Sequence, residues 1–358
     1  MGRYLLVDIG AGTMDVLYYD DQADLHYKAV VVSPVRQVAQ KAAATRGDLL
    51  VTGVEMGGGP VTEVLRQRAA AAKVVMSASA AATLHHDPER LRNWGIRVVA
   101  DAEAGRVYPK PNYTQLVLAD LQADRLERIV STFGVPFDFD ALAVCAQDHG
   151  VPPRGVSHLD YRHHLFVEAL QAQPSPHGLL FRADEVPATM NRLKAIAETA
   201  GALTAGEVYV MDSGMAAILG AAMDPAVGRC NRFLVLDVAT SHTVGAAMEG
   251  GELAGFFEYH TRDITCQRLD SLLPALADGQ LEHRRILEEG GHGAFLRRAV
   301  GFERVEAVVA TGPKRRLIRK SRLPITYGAP LGDNMMTGTV GLLEALRRRK
   351  RLAPMVYV

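Results

Sequence analysis

The sequence predicts an α/β protein of two lobes, each a mixed sheet flanked by helices. Three observations lead there. The chain has 358 residues, against roughly 100–200 for a typical domain. Short apolar runs alternate with helix-like stretches along its length. One unit occurs twice, at 4–19 and at 232–248: a strand ending in an acid, a turn of small residues, and a returning strand. The repeat is one of architecture, not of sequence.

In order, residues 4–8 read as a strand, 10–13 as a small-residue turn and 16–19 as the returning strand of a hairpin. A third strand follows at 29–32, then a helix at 35–44 and a strand at 49–54. Three glycines and Pro60 precede a helix at 61–72, as a proline in the first turn allows. Strands at 73–76 and 96–100, an amphipathic helix at 121–133 and a buried strand at 141–146 complete this half. Five prolines between 148 and 187 mark a looser connection, with a helix at 161–170. A helix at 189–200 stops at Gly201, and a strand at 207–211 leads into a small-residue helix at 214–223. The second hairpin, at 232–236 and 244–248, is followed by strands at 253–259 and 305–310 and a closing helix at 337–349. The expected division is a first lobe over 1–200, a second over 201–336, and a C-terminal helix over 337–358 that can return to the first lobe.

Apolar residues make up 48% and charged residues 22%, an ordinary globular balance. Lys+Arg and Asp+Glu are both 40, and zero net charge argues against a general nucleic-acid or anionic-membrane binder. Cys145, Cys230 and Cys266 stand far apart with no C-x-x-C pair, which excludes a locally built cluster and fits a reducing compartment. No charged segment with a long apolar run opens the chain, and the small-apolar run at 214–223 is too short for a bilayer. The expectation is a cytoplasmic protein without membrane or nucleic-acid partners; a homodimer stays open.

The sharpest feature is Asp8-Ile9-Gly10-Ala11-Gly12-Thr13. Small residues in such a turn let backbone N–H groups approach a phosphate, Thr13 adds a hydroxyl, and Asp8 is placed to hold Mg2+ through water. The plain alternative is a hairpin with a glycine-rich loop. Asp237-Val238-Ala239-Thr240-Ser241-His242-Thr243 offers a second acid-and-hydroxyl turn, and Thr311-Gly312-Pro313-Lys314 follows a late strand.

In this order the elements resemble the superfamily of actin, the heat-shock chaperone ATPases and the sugar kinases. The match covers the first hairpin well (DIGAGTMD, 8–15), the second less well, and the Thr-Gly-Pro turn as an adenosine motif. The helix start at 212–217 (DSGMAA) and the small residues at 337–341 are similar to the helices that precede the second hairpin and cross between lobes. The resemblance implies an actin-like ATPase fold with ribonuclease H-like lobes, and ATP with Mg2+ in the cleft. Asp8, Gly10, Ala11, Gly12 and Thr13 would then meet phosphate, with Asp237, Thr240, Ser241 and Thr243 opposite. Thr311, Gly312, Pro313 and Lys314 would meet the nucleoside, and Asp8 and Asp237 the metal. Asp148, at a strand end, and Asp212 are the candidate catalytic acids.

The second turn departs from the family in lacking glycines after its acid, which puts γ-phosphate binding in question while its hydroxyls supply other donors. His242 has a phosphate-contacting reading and a solvated one. Three activities fit such a cleft: a phosphotransferase on a small metabolite with Asp148 as base, an ATPase that switches a partner enzyme, and a nucleotide-binding module without turnover. The sequence also resembles a group in this superfamily that has carried a pyruvate formate-lyase-activating label. The cysteines do not suit radical chemistry of that name.

Histidines gather at 149, 158, 163 and 164, with a further pair at 85–86. No metal-ligand spacing is visible, so surface or substrate-loop histidines are expected over a metal set. Residues 56–60 read as an anion nest or, more simply, a flexible loop. The basic runs at 314–322 and 347–351 read as solvated faces.

Overall fold

The computed structural model describes residues 2–107, 112–153 and 155–357. Among these, the strands form three sheets. The chain opens with an antiparallel meander of β1 (Arg3–Ile9), β2 (Thr13–Asp20) and β3 (Leu25–Val32). Tyr4 to Val7 of β1 are all buried, as befits a strand paired on both sides and covered on both faces.

Four short strands come next: β4 (Asp48–Gly53), β5 (Val74–Ser77), β6 (Ile96–Val99) and β7 (Tyr113–Leu118). They form an all-parallel sheet in the order β6-β5-β4-β7. Helices Pro34–Ala44 and Gly59–Ala69 give it a core of its own, with Val35, Val38, Val61 and Leu65 packed on Leu49 and Met76.

The chain then rejoins the first sheet with β8 (Phe139–Ala146), β9 (Phe181–Arg182) and β10 (Ala205–Met211), giving β3-β2-β1-β8-β10-β9. The second lobe follows as β11 (Arg232–Val238), β12 (His242–Glu249), β13 (Glu252–His260), β14 (Gly293–Leu296), β15 (Ala307–Thr311) and β16 (Ile325–Tyr327). Its order is β14-β13-β12-β11-β15-β16. Each lobe is therefore led by three antiparallel strands whose first strand also pairs in parallel with a later one: β8 on β1, and β15 on β11. This doubled order is the actin-like ATPase fold that the resemblance implied.

Helices Ser213–Ala221 and Thr337–Lys350 pack together between the two sheets, inside one core that takes in Leu6 and Val144 of the first sheet and Val235 and Ala246 of the second. They approach at backbone distance. A Cβ on Gly220 would sit 1.8 Å from the Thr337 carbonyl oxygen, and one on Gly341 1.8 Å from that of Ala216. No other residue fits these two places.

Several features differ from the sequence reading. Strand β10 pairs with β8, so the first sheet runs past the expected boundary at 200. The parallel sheet over 48–118 is a unit of its own, because β4 pairs with β5 and β7 and never with the first sheet. Strand β7 and the helix Cys266–Ala277, which carries Pro274 inside it, were not anticipated. Among the described residues no helix is long and apolar enough to cross a membrane.

Candidate functional site

A cleft of about 600 Å³ lies between the lobes. The turns after β1 and β11 line it from opposite sides, with Gly312 and Pro313 beside the second turn and residues 56–60 and 82–86 of the small parallel unit closing one end.

The two turns are built alike. Ile9 pairs with Met14 and Val238 with Thr243, so each turn has four residues, 10–13 and 239–242. The first residue's N–H donates to the fourth residue's carbonyl at 3.0 Å in both, Gly10 to Thr13 and Ala239 to His242. Each turn is then braced by the residue after its lobe's third strand. The Ser33 hydroxyl donates to the Gly10 carbonyl at 2.6 Å, and its N–H to that of Gly12 at 3.1 Å. The Thr261 hydroxyl donates to the Ala239 carbonyl at 2.8 Å, and its N–H to that of Ser241 at 2.8 Å. The turns touch: a Cβ on Gly12 would lie 2.9 Å from the Thr240 side chain.

Three carboxylates sit at the roots of the turns. Burial, opposed by a Cys145 hydrogen bond and assisted by the charge of Asp237, raises Asp8 to about 7. Burial and the Asp8 charge raise Asp15 to about 8. Burial raises Asp237 to about 6, against a hydrogen bond from the Thr311 hydroxyl at 2.8 Å. Asp15 Oδ1 is buried without a hydrogen-bond partner. Gly338, near the start of the Thr337–Lys350 helix, leaves room for Asp8, since a Cβ there would fall 2.0 Å from its Oδ2. Crowded, under-solvated carboxylates with a free oxygen fit a hydrated Mg2+, which takes oxygen ligands and keeps several waters.

The Thr311-Gly312-Pro313 turn is locked to the second hairpin. Gly312 has φ +88°, and a Cβ would meet the Val238 carbonyl at 2.5 Å. Lys314 N–H donates to that carbonyl at 2.9 Å. Gly312 and Pro313 face the cleft, whereas the Lys314 side chain is exposed and does not line it. Thr311 and Thr243 are buried; the Thr243 hydroxyl lies 3.0 Å from that of Thr261. Gly10, Ala11, Thr13, Thr240 and Ser241 line the cleft.

Asp148 lines the cleft, but both its oxygens accept from backbone: Oδ1 from Gly150 at 2.7 Å, Oδ2 from Leu193 at 2.9 Å. Burial raises its pKa and these bonds oppose the rise. Asp212 stands back from the cleft, 2% exposed. Its Oδ1 caps the Ser213–Ala221 helix through Gly214 N–H at 2.9 Å, and its Oδ2 pairs with Arg162 at 2.9 Å. Arg162, itself buried, also pairs with Glu258.

Several cleft groups carry no local signal in the sequence. Arg192 grips buried Asp120 through two bonds, 2.7 and 3.0 Å, and Asp120 accepts from Gly57 N–H, fixing the 56–60 loop at the cleft. Glu55 lies 3.1 Å from His86 and raises it through their hydrogen bond. His149 and His242, both noted in the sequence, come together with His260 and His292, which were not.

Residues 56–317 match a family model described as "Putative pyruvate format-lyase activating enzyme (DUF1786)". That span is well over half of the chain. The chain belongs to the DUF1786 family. No curated protein matches it in sequence. Among solved structures, the DUF1786 protein is similar to the ethanolamine utilization protein EutJ from Carboxydothermus hydrogenoformans (12% identity, 96% of this chain and 88% of that one, TM-score 0.33). It is similar too to the ROK hexokinase from Thermus thermophilus (14% identity, 98% and 99%, TM-score 0.31). A third is a Bacteroides thetaiotaomicron protein with actin-like ATPase fold and unknown function (8% identity, 89% and 86%, TM-score 0.33). The fold assignment of this DUF1786 chain rests on its own strand order and register.

Proposed function

We propose that this chain binds Mg2+-ATP between the lobes and hydrolyses it slowly, using the nucleotide state to set the lobe angle that a partner enzyme reads. The observation that carries the reading is the pair of identically braced turns in contact across the cleft, with three carboxylates at their roots. Backbone N–H groups of Ala11, Gly12, Thr240 and Ser241, which do not close the turns, would hold the phosphates, and the hydroxyls of Thr13, Thr240 and Ser241 would add donors. Asp8, Asp15 and Asp237 would hold the Mg2+, which would neutralise phosphate charge. The Thr311-Gly312-Pro313 turn would lie along the nucleoside.

Switching is favoured over phosphate transfer to a metabolite because neither expected acid is free. Asp148 is held by two backbone donors, and Asp212 by its cap and by Arg162. A base ready to deprotonate a hydroxyl needs an uncommitted oxygen within reach of the reacting group. Cys145 is buried within β8, Cys230 lies in the connection before β11 and Cys266 opens a helix, which supports an activator driven by nucleotide rather than by a cysteine-held cluster.

The test is isothermal titration of the full chain with Mg2+-ATP. Saturable binding is expected, weakened about tenfold or more in Asp8→Ala and Asp237→Ala. Folded wild-type protein that gives no binding would overturn the reading.

A further inference from the structure

The lobes also meet at a cluster of imidazoles. His149 follows β8 in the first lobe, His242 ends the second turn, and His292 precedes β14. The rings of His242 and His292 are centred 4.9 Å apart, and His149 stands 6.2 and 6.1 Å from them. One ring nitrogen from each of the three lies within 4.8 Å of the other two. No sequence spacing shows this. His292 is brought in by its N–H bond to the Glu258 carbonyl at 2.8 Å, one step from the β13–β14 pairing.

Two nitrogens of these rings lack a partner. Nε2 of His242 and Nδ1 of His292 are buried without hydrogen-bond partners, and His292 is only 8% exposed. A buried polar atom without a partner costs about 1–3 kcal/mol, so two in one cluster call for an occupant. Beside the rings, the Glu258 carboxylate is paired with the buried Arg162 guanidinium. Glu258, fixed by Gln147 at 2.6 Å, lies 3.6 Å from His292 Nδ1, beyond hydrogen-bond reach.

We propose that His149, His242 and His292 bind one divalent transition-metal ion, of the class that prefers nitrogen ligands and includes Zn2+, across the boundary between the lobes. A tetrahedral ion with bonds of about 2.1 Å holds its ligands about 3.4 Å apart, so the rings close on it by side-chain rotation. Three protein ligands leave a fourth position, and all but His292 of the three line the cleft, so that position opens towards water or an oxygen of the cleft ligand. This ion is distinct from the Mg2+ of the turns, whose ligands are carboxylates. It also ties one lobe to the other through His149.

The full chain, stripped with chelator and free of nucleotide, is titrated with Zn2+ and separately with Co2+. Binding of about one equivalent is expected, with the intense visible absorption of tetrahedral Co2+. His149→Ala and His292→Ala should each weaken Zn2+ about tenfold or more and abolish the Co2+ bands, while exposed His164→Ala changes neither. Circular dichroism confirms that each variant is folded. Should His292→Ala not fold, His149→Ala and His292→Gln decide. No stoichiometric binding by folded wild type, or binding unchanged in the folded histidine variants, overturns the site. Since no nucleotide is present, a failure to bind ATP leaves this outcome unaffected.

Discussion

The two turns of the cleft share a backbone and differ in side chains. Gly10-Ala11-Gly12-Thr13 and Ala239-Thr240-Ser241-His242 close with the same hydrogen bond and take the same two bonds from Ser33 and Thr261. Neither Gly10 nor Gly12 has positive φ, so the conformation does not demand glycine, and the second turn adopts it without any. Glycine at 12 is there for space, because Thr240 occupies the place its Cβ would take. The second turn therefore keeps the backbone of the first without glycine. Its bulk has moved across the cleft to fill the gap left by the first, and its last residue, His242, belongs to the imidazole cluster where Thr13 stands on the other side.

The comparison breaks hardest at Gly12. Gly12→Val drives a branched side chain into Thr240 and should weaken Mg2+-ATP by about a hundredfold in titration calorimetry. Gly10→Ala, whose Cβ finds its nearest neighbour at 3.4 Å, should cost less than about tenfold. If space is the reason, Thr240→Gly rescues Gly12→Ala, and the double-mutant cycle shows a coupling of about 1–2 kcal/mol in stability. Additive losses would place the glycine requirement elsewhere.

A smaller effect is a pH dependence. Asp8 and Asp15 are raised in the folded chain to about 7 and about 8, so their contribution favours folding at low pH and is lost as pH climbs through those values. His86, raised by its Glu55 partner, acts in the same direction. His149 and His242 act oppositely, but below about pH 6.5, where the unfolded rings charge. The nucleotide-free melting temperature should therefore fall between about pH 6.5 and about pH 8.5. Asp15→Asn should flatten that fall, and a flat wild-type profile would contradict the burial of these charges. The smallest effects test the braces: Ser33→Ala and Thr261→Val should each cost about 1 kcal/mol in denaturant unfolding, alike if the turns are equivalent.

Much of this was legible in the sequence. Asp8 to Thr13 announced its turn because small residues, a strand-ending acid and an apolar return are all local signals. The second hairpin was legible as strand pattern alone. The carboxylate at Asp15 lay inside the first motif, but its exposure to Asp8 depends on the register Asp8↔Asp15 across β1 and β2. The independence of the 48–118 sheet could not be read, since its strands look like any others until their partners are known. Helix Cys266–Ala277 was hidden by Pro274. Asp212 looked catalytic because an acid before a small-residue helix has two uses, and here its oxygens cap the helix and hold Arg162. His292 and His260 stood alone in the chain; only sheet pairing and lobe closure bring them to His149 and His242.

The most direct measurement is hydrogen–deuterium exchange of the full chain with and without saturating Mg2+-ATP. The account predicts slowed exchange in residues 10–13 and 239–242 together, with 311–314 following. Protection of one turn alone, or of neither, would contradict a nucleotide held between them.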